Sequence, residues 1–300
     1  MSRLAPLLCL AVAVSAGCAS LNRHASRDQV TVEQDIVYVD GSQHPKHRLD
    51  FFTPIGVKDF PTVVFIHGGY WHEGDRNFYA FFSGLYSSMG DALARRGVGC
   101  VVHSYRLSPE VGIAAELEDV ARAVRWTADH IAERGGAPDR IFIAGHSAGG
   151  HLAAMLAVDD KPLRAAGVDP MRIRGYIAWS PVLDLAHMRA NNDADFNATV
   201  TDPVFGKDPA QLAAWSPITH ARAGLPPLRI LLGGKDYPYL VEQVQAAVPK
   251  LRAASWPVEL VVIPGFTHED MVVKVGGSRD LVTPAVVDFV QRDGRAVASP

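Results

Sequence analysis

Apolar and polar positions follow two alternating rhythms along the chain. Residues 34–39 and 48–52 alternate apolar with polar side chains and are separated by Asp40-Gly41, which predicts an antiparallel pair of strands. Residues 62–66, 99–103, 141–144, 176–179, 228–232 and 259–263 are instead apolar nearly throughout. Runs of that kind suit strands covered on both faces of a parallel sheet. Between them lie stretches at helical spacing. In residues 114–133 the apolar Leu117, Val120, Ala121, Val124 and Ile131 share one face, with charges opposite. Residues 148–158, 240–254 and 284–292 are the other helical stretches. Strands trading places with helices predict one α/β domain over residues 31–300, with a mostly parallel central sheet flanked by helices. Residues 184–227, with Asn191-Asn192-Asp193 and several prolines, break the rhythm. They are expected to form a short cap-like insertion over the C-terminal edge of the sheet, where open α/β sheets bind ligands, and to supply part of a pocket wall.

Composition narrows the class. The 300 residues are 48% hydrophobic and 20% charged, as in a globular protein and unlike a disordered or fibrous one. With 29 basic against 32 acidic residues there is no basic footprint for nucleic acid, and no such partner is expected. The first residues read differently from the rest. Arg3 precedes an apolar run over residues 4–17, too short to span a membrane, which predicts a secretory signal peptide over residues 1–17. Its end, Ser15-Ala16-Gly17-Cys18, resembles the lipobox of bacterial lipoproteins. That resemblance implies that Cys18 is lipidated and becomes the mature N-terminus, with residues 18–30 as a tether. The protein would then sit in the cell envelope, held to a membrane by its lipid. Ala19, where an Asp would retain it, implies the outer membrane. Cleavage without lipid would give a secreted or periplasmic protein. Cys9 leaves with the signal, and Cys100, in an apolar run, is expected to be a buried core thiol.

Two motifs carry chemistry. The apolar run 141–144 leads straight into Gly145-His146-Ser147-Ala148-Gly149-Gly150, and a helical stretch follows. This G-x-S-x-G at a strand-to-helix turn would lift the Ser147 hydroxyl above the sheet, with Gly145 and Gly149 where side chains would collide. The next N–H, that of Ala148, would open a helix and face an oxyanion. The second motif, His67-Gly68-Gly69-Tyr70-Trp71, follows the run 62–66. Its glycines would let backbone amides approach a reacting carbonyl, with the N–H groups of Gly69 and Tyr70 as candidate donors. Tyr70 and Trp71, on that loop, are the candidate substrate contacts. Phe78, Tyr79, Phe81, Phe82 and Tyr86, which follow, are read mainly as helix-face packing. No zinc-ligand motif, P-loop or dinucleotide fingerprint is present, so neither metal nor cofactor is expected.

Through His67-Gly68-Gly69-Tyr70-Trp71 and Gly145-His146-Ser147-Ala148-Gly149-Gly150, with His151-Leu152-Ala153-Ala154 after it, the chain resembles the α/β-hydrolase superfamily. Tyr70, where hormone-sensitive-lipase relatives carry a third glycine, points to the esterase and arylformamidase branch with an H-G-G-x-W loop. The resemblance implies the chain order nucleophile, acid, histidine. Among the histidines after Ser147, only His268 also lies past the last strands, so it is the expected base. Asp236, just after the run 228–232, is the expected acid and Asp184 its rival. His67, His146 and His151 are expected to serve backbone bonding and packing. The implied activity is hydrolysis of carboxylic esters of small to medium acyl or aryl groups through an acyl-enzyme. An arylformamidase-like amidase and a deacetylase or feruloyl-type esterase of polysaccharide are alternatives, and a non-catalytic binding module stands furthest off.

Overall fold

The computed structural model describes residues 29–77 and 85–295. The signal peptide, Cys18 and most of the tether lie outside them, as do Phe78, Tyr79, Phe81 and Phe82. Among the described residues, eight strands form a single sheet in the order β1-β2-β4-β3-β5-β6-β7-β8. They are β1 (Val30–Val37), β2 (Arg48–Pro54), β3 (Phe60–Ile66), β4 (Gly99–His103), β5 (Gly136–His146), β6 (Ile173–Trp179), β7 (Leu228–Gly233) and β8 (Val258–Ile263). β1 pairs with β2, and β2 with β4, antiparallel; all later neighbours run parallel. β5 begins well before the apolar run 141–144; its first residues, Gly136-Ala137-Pro138-Asp139-Arg140, offer no run of large apolar side chains and so hide the strand from a hydrophobicity reading.

Side chains alternate between the two faces of the sheet, and each face has its own core. On one, Val64, Ile66, Ile143, Ala178 and Ile230 pack against the helices Ile113–His130, Ala148–Val158 and Pro238–Ala253. On the other, Val63, Phe65, Phe142, Ile177 and Leu231 pack against Ser87–Ala94 and Val282–Gln291. Cys100 is buried in the second core, and burial raises its thiol pKa, so it stays protonated. Residues 184–227 fold into short helical pieces. Asp184, Asp193 and Asp208 cap the starts of Leu185–Ala190, Ala194–Phe196 and Pro209–Ala214 by accepting backbone N–H bonds, which suits a segment without strand periodicity. Among the described residues no helix is long and apolar enough to cross a membrane.

Candidate active site

β5 ends at His146 and the helix Ala148–Val158 begins two residues later, so Ser147 alone makes the turn. Its backbone sits at φ 55° and ψ −116°, in the left-handed half of conformational space that a side chain disfavours. Two bonds hold it there. The Ser147 N–H donates to the Trp179 carbonyl at 2.8 Å, and the Ser147 carbonyl accepts the His151 N–H at 3.0 Å. A Cβ on Gly149 would lie 2.2 Å from the Ile66 carbonyl oxygen, and one on Gly145 2.2 Å from the Gly149 oxygen. The glycine spacing of the motif is therefore a packing requirement of this turn.

Ile66 at the end of β3 pairs with Gly145 near the end of β5, so the loop after β3 passes beside the Ser147 turn. Gly69 has φ 127°, and a Cβ there would strike the Glu73 oxygen at 2.0 Å. The Gly69 carbonyl closes the turn by accepting the N–H groups of His72 at 3.1 Å and Glu73 at 2.9 Å. The Gly68 N–H is taken by the Tyr86 hydroxyl at 3.2 Å. Among the described residues no acceptor takes the N–H groups of Gly69, Tyr70 or Ala148. Beneath the loop, His67 donates from Nδ1 to the Gly68 carbonyl at 2.7 Å and stacks on Tyr105 at 4.4 Å between ring centres. Burial pushes the His67 pKa down to about 3, which keeps this imidazole neutral.

Trp71 corrects an expectation. It does not line the cavity but is buried, only 1% exposed, and its indole N–H donates to His151 Nδ1 at 3.1 Å. His151, whose pKa burial lowers to about 4, donates in turn from Nε2 to the Trp215 carbonyl at 2.7 Å. A buried indole N–H needs a partner, and here that need ties the loop after β3 to the helix Ala148–Val158 and to the 184–227 insertion.

Neighbouring strands bring the acid and the base together. β7 and β8 pair Gly233 with Ile263, and the loops beyond them carry Asp236 and His268. His268 Nδ1 lies 2.9 Å from Asp236 Oδ1. The same oxygen accepts the Tyr237 N–H at 2.7 Å, and the Ser180 hydroxyl donates to Oδ2. Burial raises the Asp236 pKa, but the bonds from His268, Ser180 and Tyr237 outweigh it and hold the carboxyl below its ordinary value. His146, kept neutral by burial with a pKa of about 3, donates from Nε2 to the His268 carbonyl at 3.2 Å. Asp184 is not in this group; it accepts the His187 N–H at 2.9 Å as a helix cap.

Ser147 and His268 open onto one cavity of about 230 Å³, with Gly69 and Tyr70 on its wall. Leu85, Val272 and Val273 contribute apolar lining, and Tyr237, Glu73 and Glu269 contribute polar lining. None of its described lining residues comes from 184–227, which corrects the expected pocket wall. The insertion reaches the site one layer back, through the Phe196 ring set edge-on to Tyr70 at 6.0 Å. Sequence reasoning missed Ser180, Tyr237, Glu73 and Glu269. Ser180 follows β6 directly, and its place at a strand end beside the Ser147 and Asp236 loops was the one available signal.

A mostly parallel sheet in this order, with a strained serine between β5 and a buried helix, is the α/β-hydrolase fold. Within that fold the chain belongs to the BD-FAE family, which residues 49–251 match. It is 26% identical over 279 residues to the isoprenylcysteine alpha-carbonyl methylesterase ICME of Arabidopsis thaliana, covering 87% of this chain but 62% of that protein. The chain thus spans about three fifths of the length of that relative. It is 30% identical over 229 residues to the esterase LipU of Mycobacterium tuberculosis, covering 70% of each. Among solved structures, a truncated carbohydrate esterase from gut microbiota superposes with a TM-score of 0.74 over 90% of this chain and 98% of the other. At 21% identity that likeness speaks to the fold alone.

Proposed function

We infer that this protein is a serine hydrolase that cleaves carboxylic esters of small to medium acyl or aryl groups. The observation that carries the reading is the His268–Asp236 pair, 2.9 Å apart, opening with the strained Ser147 onto one cavity. The names of the relatives, a methylesterase and an esterase, support the same reaction class.

In this reading His268 takes the Ser147 proton as the hydroxyl oxygen attacks the ester carbonyl. Asp236 keeps the imidazole in the tautomer whose Nδ1–H faces the carboxylate and stabilises the imidazolium that forms. The N–H groups of Gly69, Tyr70 and Ala148 bind the oxyanion, each worth roughly 3–4 kcal/mol in the transition state. The tetrahedral intermediate collapses, the C–O bond breaks, and His268 protonates the leaving alcohol. Water, deprotonated by His268, then attacks the acyl-enzyme and releases the acid. These steps use only protein groups and water.

The test is hydrolysis of p-nitrophenyl acetate, butyrate and octanoate by the signal-free protein, beside Ser147→Ala. The expected result is turnover that the substitution lowers by about 10³-fold or more, with the chain-length profile sizing the cavity. A wild type no faster than the variant on all three esters would overturn the reading. The signal peptide and the lipid on Cys18 form a second proposal, supported by Arg3, the apolar run after it and the Ser15-Ala16-Gly17-Cys18 string.

A further inference from the structure

Two residues with carboxylate side chains, Glu73 and Glu269, line the cavity. Glu73 comes from the loop that also bears Gly69 and Tyr70, and its N–H helps close that loop. Glu269, also in the lining, is next in sequence to His268. The Tyr237 hydroxyl donates to Glu269 Oε1 at 2.6 Å and so fixes this carboxylate in the cavity wall. Tyr237 is itself held, its ring against that of His268 at 4.8 Å. Burial raises the Tyr237 pKa, so the phenol stays neutral and brings no charge of its own.

Nothing among the described lining residues balances these charges: no Lys or Arg contributes to the cavity. Three cations beside lining residues are paired elsewhere. Lys274 pairs with Asp270 and lies over the Phe266 ring, Lys46 pairs with Asp75, and Arg76 pairs with Asp50 and Asp35. Residues 78–84 carry no charged side chain. His146 is held neutral. The cavity lining thus carries two carboxylate residues, Glu73 exposed at its mouth and Glu269 half-buried, where the reaction itself creates a further negative charge on the substrate oxygen.

We propose that Glu73 and Glu269 select substrate by charge, favouring esters that carry a positive group near the scissile bond and rejecting those that carry a carboxylate. This rests on the esterase reading and specifies its substrate class. The physical ground is Coulombic. A fixed charge within a few ångströms of the substrate changes the cation-over-anion ratio of transition-state binding on the order of tenfold, so two such charges give on the order of 100, and salt weakens the effect.

The experiment compares two series matched in shape. One varies the leaving group: S-butyryl esters of thiocholine, 3,3-dimethylbutanethiol and 3-mercaptopropionate, read by released thiol. The other varies the acyl group: p-nitrophenyl 6-aminohexanoate, hexanoate and adipate monoester. Wild type, Glu73→Gln, Glu269→Gln and Ser147→Ala are compared at low and high salt. The expected result is a cation-over-anion ratio of kcat/KM on the order of 100 in at least one series at low ionic strength, shrinking in 0.5 M salt. Each Gln variant is expected to lower that ratio by on the order of tenfold. Ser147-dependent turnover with ratios near one in both series, or ratios unchanged in both Gln variants, would overturn this inference alone. Absence of Ser147-dependent turnover in every ester would overturn the esterase reading, and this inference with it.

Discussion

Asp236 receives hydrogen bonds on both oxygens and directs one of them to His268. That is the environment of a residue whose task is to stay ionised and hold an imidazole in place. Asp184 has a different local task, since one of its oxygens starts the helix Leu185–Ala190. The two substitutions therefore separate cleanly. Asp236→Asn should lower kcat/KM on p-nitrophenyl butyrate by about 10³–10⁴-fold, because the amide disturbs the tautomer His268 needs. Asp184→Asn should stay within about threefold, because Asn caps a helix nearly as well as Asp. Equal losses, or the reverse order, would make Asp184 the acid. Both aspartates sit in loops after strands, and chain order alone left them as rivals. The side-chain hydrogen bonds to Asp236 come from Ser180, 56 positions away, and from His268, 32 away, and no spacing rule reaches that far.

At the scale of elements, the helix Ile113–His130 was readable as amphipathic, and it buries Leu117, Val120, Ala121 and Val124 as its spacing requires. Glu116 does not fit that reading. It is fully buried, and burial pushes its carboxyl from an ordinary 4.5 up to about 9. Between those values the folded protein binds one proton more than the unfolded chain. This contribution is therefore fully present below pH 4.5 and is lost as the pH rises toward 9, by about 1.4 kcal/mol per pH unit at most. Glu116→Gln, which cannot ionise, should flatten this dependence. Urea midpoints measured from pH 5 to pH 8 should fall more steeply for the wild type than for the variant; parallel curves would refute the assignment. The loop of the H-G-G-x-W motif teaches the complementary lesson. Its residues were legible as a loop beside Ser147, but the direction of the Trp71 side chain was not. A buried indole goes where its N–H finds an acceptor, and that acceptor, His151, lies on another element.

At the scale of the whole molecule, the prediction concerns the lipid on Cys18. Several acyl chains on one residue hold a protein firmly, since each buried CH₂ contributes about 0.8 kcal/mol. Cys18→Ser should move the full-length chain from the membrane fraction to the soluble fraction on cell fractionation, while membrane association that survives the change would refute the lipobox reading. The sequence by itself determined the run of strands and helices and the two glycine-bearing motifs. It could do so because each depends on local periodicity or on backbone positions that only glycine fills. Tertiary structure decided the rest: which aspartate meets His268, that Trp71 turns inward, that 184–227 stands behind the cavity wall, and that Glu73 and Glu269 line the same cavity. Those facts depend on where side chains from distant strand ends meet when the sheet edge closes into a cavity, and that meeting has no local signature in the chain.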